Sequence, residues 1–280
     1  MNSRHACAAV LFLAALSGGK VAQAAEPVIY PLEEPVSLET EPPAFVLQIT
    51  PYLWAAGFTG DISPFRHGPT IGIEKRFSDI MDDLNFGGFV NLWARQESFV
   101  LSADVMYVNT TDSRTSGPLP PLPLPIPIPP GTTVSGSVDS TQFMATVQGG
   151  YRLVGTPEFT LDVLGGARFW HISNDVTVSA SRLGIARRYG ERFGWVDPVV
   201  GARAFLPLTQ AFSLQAQVDI GGFGVGSDFT WSALATANYI VNDQFSFSAG
   251  YKVLDVDYRN GGHVYDTRLH GPVLGMTWRF

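Results

Sequence analysis

Val264–Phe280 reads VYDTRLHGPVLGMTWRF. Taken in twos, His270, Pro272, Leu274, Met276, Trp278 and Phe280 share one face, mostly apolar. Leu269, Gly271, Val273, Gly275, Thr277 and Arg279 share the other, mixed and ending in a charge. That period of two defines a strand with one greasy and one wetter side. The strand runs into its last aromatic residue without a polar guard. A soluble domain rarely leaves so apolar a terminal strand uncovered.

On these residues the chain resembles the transmembrane β-barrels of bacterial outer membranes, whose closing strand commonly ends in Phe below an alternating apolar run. The resemblance implies an outer-membrane location and an all-β, antiparallel barrel. It also implies that Met276, Trp278 and Phe280 form an assembly signal read by the barrel-insertion machinery. It covers Phe45–Phe280 by pattern and is similar to small barrels of the outer membrane protein A and W types. No activity follows from it.

Composition agrees with that architecture. Charged residues are 15%, low against roughly 25% in a soluble domain. Even so, no apolar run reaches the ~20 residues a membrane helix requires. A barrel reconciles the two, because its lipid face alternates with a polar lumen face. Lys+Arg is 18 against Asp+Glu 25, so nucleic acid is not an expected partner. Outer-membrane lipid and glycolipid are, and nothing in the sequence sets an oligomeric state.

Residues 1–24 read as a secretory signal. Arg4 and His5 open it, Ala6–Leu16 is its apolar core, and Ala22-Gln23-Ala24 is the cleavage site. Cys7, the single cysteine, leaves with it, so the mature chain has no disulfide or thiolate metal site. Residues 25–44 hold Pro27, Pro31, Pro35, Pro42 and Pro43 among five glutamates. They are expected to form an acidic periplasmic tether, a spacer rather than a docking segment.

The barrel is expected over 45–280, with about ten strands and eight to twelve open. Four short breaks join alternating segments as hairpin turns do: Glu97-Ser98, Gly155-Thr156-Pro157, Leu208-Thr209-Gln210 and Asn242-Asp243. The intervening connections are longer, which is the asymmetry of periplasmic turns and extracellular loops. Gly57–Lys75 is expected to be an extracellular excursion with a hairpin arm near Thr70–Arg76. Ser78–Leu84 reads as a helical turn capped by Ser78 and a candidate plug for the mouth. Thr115–Gly131 holds eight prolines and is expected to be a stiff extracellular loop, not a ladder strand. In Ser173–Arg192, the guanidinium groups of Arg182, Arg187, Arg188 and Arg192 are candidate contacts for glycolipid phosphate, set against an ordinary solvated loop.

Inside the barrel a small unit recurs: Gly150-Tyr151-Arg152, Gly166-Ala167-Arg168, Gly201-Ala202-Arg203 and Gly250-Tyr251-Lys252. Residues two apart share a face, so each cation lies beside a glycine that leaves it room along the wall. Parity also turns Asp104, Asp162, Asp197 and Asp219 inward. With Arg95 and Arg279, these residues are expected to form one lumen-filling ion-pair network, since an unpaired buried charge is costly. The competing reading is the selectivity lining of a pore.

Other chemistry is sparse. No histidine pair has metal-ligand spacing supported by further ligands, and no cofactor motif is present. His171 and Ser173 share the lipid-facing side with Phe169, an arrangement similar to outer-membrane enzymes that deacylate glycolipid. The sequence therefore points first to a non-enzymatic barrel with a structural or surface-interaction role. A narrow passive pore and a glycolipid hydrolase using His171 and Ser173 are the alternatives.

Overall fold

The computed structural model describes residues 45–116, 132–181 and 185–280. The signal (1–24), the tether (25–44), Arg182 and the proline-rich loop beyond Ser116 lie outside the described residues. Twelve strands and one helix follow in order: β1 Phe45–Trp54, β2 Gly57–Ser63, β3 Ile71–Lys75, α1 Phe77–Asp83, β4 Leu84–Gln96, β5 Phe99–Thr115, β6 Val134–Gly155, β7 Thr160–Ala180, β8 Ile185–Pro207, β9 Phe212–Gly221, β10 Phe229–Ile240, β11 Phe245–Asn260 and β12 His263–Arg279.

Every pairing is antiparallel between chain neighbours, except where β1 skips to β4 and where β12 pairs with both β1 and β2. The β1–β12 seam closes a ten-stranded barrel of β1 and β4–β12. The expectation of about ten strands is met, and the remaining two strands explain the ambiguity. Hairpin β2–β3 adds to β12 above the barrel, from Val264↔Ser63 down to His270↔Gly57. At the seam, the Phe280 N–H donates to the Leu47 carbonyl at 2.9 Å, and the Leu47 N–H donates back at 3.2 Å.

Turn chemistry holds the short end together. The Thr209 hydroxyl accepts the N–H groups of Ala211 and Phe212, and the Asn242 amide oxygen accepts those of Gln244 and Phe245. Leu101, Leu153, Val163, Val200, Val218 and Leu274 stand exposed on the outer wall. Ring pairs Phe99–Tyr151, Phe212–Tyr239 and Phe245–Trp278 border this belt at the short-turn end, and Phe86–Tyr107 borders it at the other. A closed wall with an apolar belt between aromatic girdles satisfies every backbone group without water. The protein is an outer-membrane β-barrel. No described helix is long and apolar enough to cross a membrane.

Three local expectations are corrected. Arg76, not Ser78, is the N-cap of α1, because Asp79 three residues on accepts the Arg76 N–H at 3.0 Å. The helix has no buried residue and touches the apolar lumen cluster only through Ile80, so it is not a plug. The lumen glycines do not make room for cations either. A Cβ on Gly150, Gly166 or Gly250 would run into the carbonyl of Val163, Val147 or Ala235 on the neighbouring strand. Glycine here permits close approach of adjacent backbones in a tightly curved wall.

Candidate functional site

The lumen divides into two regions. In the half nearer the short turns, inward residues of all ten barrel strands surround a cavity of about 80 Å³, room for a handful of waters. Amides and hydroxyls such as Gln48, Gln148, Gln217, Thr50 and Asn238 dominate its wall. Three ion pairs sit here. Arg168 is buried and donates to Asp219 at 2.7 Å, to Thr146 at 2.9 Å and to Thr230 at 3.0 Å. Ser232 donates to the other Asp219 oxygen. Arg152 forks onto Asp162 at 2.7 and 3.2 Å. Lys252 reaches Asp104, and the Tyr52 hydroxyl bridges them, accepting from Lys252 at 2.7 Å and donating to Asp104 at 2.9 Å. Lys252 also lies 5.0 Å from the ring centres of Tyr52 and Trp54.

All ten proposed lumen residues lie on inward-facing strand positions, but they do not form one network. Asp162 is the register partner of both Arg152 and Arg203. The fork from Arg152 occupies both carboxylate oxygens. Arg203 turns instead to Gln215 at 2.8 Å and lies over Trp93 with 4.7 Å to the ring centre. Asp197 is the register partner of Arg168, yet that guanidinium reaches across to Asp219. Asp197 is fully buried and accepts the Trp195 indole N–H at 2.9 Å and the Ser227 backbone N–H at 2.6 Å. These two bonds satisfy the carboxylate and tie the loop at 222–228 to the wall. Arg95 bonds to the Glu97 carbonyl, and Arg279 to the Ser246 hydroxyl. None of Arg95, Asp197, Arg203 and Arg279 is in an ion pair among the described residues.

The outer half is apolar. Trp54, Met106, Met144, Trp170, Ile172, Trp195, Leu254, Val256, Tyr258 and Tyr265 form one buried cluster. Trp195 stacks on Tyr258 at 4.0 Å and on Trp170 at 5.5 Å, and Phe193 stacks on His263 at 4.2 Å. The Tyr265 hydroxyl crosses from β12 to Gln142 on β6 at 3.0 Å. The rings therefore span opposite walls and cap the polar chamber. Sequence reasoning passed over this cap. Its signal was the same parity that placed the aspartates, since Trp170 and Trp195 are two residues from Arg168 and Asp197.

Above the cap, the tip of hairpin β2–β3 crosses the mouth to β8. The Arg66 N–H donates to Glu191 at 2.8 Å, Phe65 meets Tyr189 edge-on at 5.0 Å, and Glu191 pairs with His263 at 3.3 Å. On β3, Lys75 joins Asp83 of α1 at 2.7 Å and Asp112 of β5 at 3.1 Å. Burial opposes the Lys75 charge, but the hydrogen bonds to the two carboxylates outweigh it and raise its pKa. The hydrogen bond from Lys75 lowers that of Asp112.

Of the candidate glycolipid contacts, Arg187, Arg188 and Arg192 lie among the described residues. Arg187 alternates to the face opposite Arg188 and Arg192. Arg188 pairs with Asp175 at 3.3 Å, and Arg192 donates to Ser173 at 3.3 Å. His171 is exposed on the outer wall, and Ser173 stands two residues along the same strand. The Ser173 hydroxyl is engaged by Arg192, and no hydrogen bond joins it to His171 among the described residues. No group of metal-ligating side chains is found among the described residues.

No protein-family model matches the chain, and no curated protein does. Solved structures do. The outer membrane protease OmpT from Escherichia coli is similar at 12% identity and a TM-score of 0.48, over 86% of this chain and 98% of that one. The translocator domain of the autotransporter NalP from Neisseria meningitidis is similar at 15% identity and 0.40, over 84% and 88%. Ail, the attachment invasion locus protein of Yersinia pestis, is similar at 11% identity and 0.34, over 85% and 99%. These proteins differ in role, and the likeness assigns none of their activities to this chain.

Proposed function

We propose that this protein is a sealed, non-enzymatic barrel that anchors an interaction surface on the outside of the bacterial outer membrane. The carrying observation is the aromatic and aliphatic layer that spans the lumen above the polar chamber. A pore lining needs a continuous wet path. Here polar side chains line a small cavity, and stacked rings lie between it and the mouth. The paired charges below fill space rather than select ions. Strands β5–β8 and β11–β12 continue past the belt, and hairpin β2–β3 broadens that outer sheet. Chain length is thus invested in what stands outside the bilayer. Lipid is the partner of the belt.

Liposome swelling tests the reading. Vesicles holding the folded protein should shrink and stay shrunken in small sugars and amino acids, as protein-free vesicles do. Solute-dependent reswelling would replace the sealed barrel with the narrow-pore alternative. Release of fatty acid from glycolipid, lost on His171→Ala, would instead establish the hydrolase.

A further inference from the structure

Strand β8 carries a long unpaired edge on the outside of the cell. Its ladder with β7 runs the full length to Ala180↔Ile185, but its ladder with β9 stops at Val199↔Gly221. In an antiparallel sheet each residue points its N–H and C=O to one side, and the side alternates along the strand. The Pro198 carbonyl accepts the Gly222 N–H at 3.1 Å, so the even-numbered residues of β8 face the β9 side. Above Pro198 these are Val196, whose carbonyl Gly226 of the loop at 222–228 packs against, and then Gly194, Arg192, Gly190, Arg188 and Ala186. All six are exposed, and no described strand pairs with them on that side. Beneath them β9, β10 and the loop at 222–228 fill the wall, and β11 rises again beyond. The result is a notch in the outer wall, bordered by a ready template for another strand.

We propose that this edge receives an extended, acidic polypeptide segment, which adds to β8 as a further strand. The inference rests on the reading of the outer sheets as an interaction surface. Main-chain bonds would supply affinity, and the side chains choose the partner. Arg188 and Arg192 stand on the edge and face outward. Arg188 shares its charge with Asp175, whereas Arg192 meets only the Ser173 hydroxyl, so the edge keeps a positive surplus. Glu191 points the other way and is held by Arg66 and His263. Asp257 and Asp255 on the outer face of β11 are taken up by Arg259 and Arg268 and stand level with Phe229 and Trp231 of β10, so the unshared charge at this end of the wall is that of Arg192. A second copy is a poor occupant. Antiparallel self-pairing centred on Gly190 sets Arg188 opposite Arg192 twice, and like charges directly opposite destabilise a sheet.

The test uses the full chain in lipid nanodiscs and a fluorescent peptide alternating Glu and Thr. Controls are a Lys-Thr peptide and the Glu-Thr peptide N-methylated at every second residue. Saturable binding is expected for Glu-Thr alone, with affinity falling at least about tenfold on N-methylation and with Arg188→Glu/Arg192→Glu. Both substitutions are at exposed positions, and an unchanged heat-modifiability gel checks that the variant is folded. Amide exchange at Arg188 and Arg192 should be fast in the free protein and slow with peptide. No Glu-Thr binding overturns the proposal, as does binding indifferent to N-methylation, which would be charge attraction alone. Exclusion of the peptide by phosphorylated glycolipid in the disc would also overturn it and assign the arginines to lipid. Peptide binding by a barrel that also passes solutes would support this inference while sinking the sealed-lumen reading.

Discussion

The two halves of the lumen arise from one rule and are filled in opposite ways. Along every wall strand, alternate side chains point inward. Toward the short turns those positions hold Asp104, Arg152, Asp162, Arg168, Asp219 and Lys252, satisfied in pairs. Toward the mouth they hold Met106, Met144, Trp170, Trp195, Tyr258 and Tyr265, stacked without charge. Strand β7 makes the change within two residues, from Arg168 to Trp170. Lumen charge is therefore a poor guide to conduction in a small barrel. Whether a path exists depends on whether another layer covers the charged one.

Substitutions in each half sharpen that contrast. The largest effect belongs to Asp219→Ala, which leaves Arg168 buried without its carboxylate. It should cost about 3–5 kcal/mol, read as the urea midpoint of the folded barrel in detergent. Adding Arg168→Met should recover part of that loss, so the double variant costs less than the sum of the singles. In the cap, Met106→Ala removes a fully buried side chain and should cost about 3 kcal/mol by the same measurement. A much smaller loss would mean a loosely packed cap. Arg203→Met should cost no more than about 1 kcal/mol, because it gives up one hydrogen bond and a ring contact but no ion pair. A loss matching that of Asp219→Ala would restore the single coupled network.

The smallest effect lies outside the membrane, at Lys75. The folded Asp112 has a lowered pKa, so its contribution is present above the unfolded value near ~4 and is lost as pH falls through the folded one. The folded Lys75 has a raised pKa, so its contribution is present below ~10.4 and is lost as pH rises through the folded value. The bridge thus works between those limits. Both side chains are about one-third exposed, so Lys75→Met should cost under ~1 kcal/mol. Protection of the Phe77–Asp83 amides, taken relative to the intrinsic exchange rate at each pH, should fall below about pH 4 in the wild type, and the variant should lack that step.

Much of the fold was legible because alternation is a local property. The terminal strand, the four short turns and the inward facing of all four aspartates follow from residues a few positions apart. The pairing Arg168–Asp219 and the absence of an ion pair at Asp197 and Arg203 were not legible. Each depends on which oxygen a guanidinium reaches across the lumen, and that is set by register, stagger and the competition of Arg152 for Asp162. The glycines misled for a related reason. A Gly two residues before a cation looks like space for that cation, but the space belongs to the next strand's carbonyl. The free edge of β8 was likewise hidden, since it exists only because β9 is shorter than its neighbour.

The account turns on the cap, and single-channel recording in planar bilayers reaches it most directly. The folded wild-type protein, at purity sufficient to exclude contaminating porins, should insert without discrete current steps in concentrated salt. Reproducible steps of one size, disappearing when the same preparation is heat-unfolded, would show an open path through the lumen and contradict the sealed barrel.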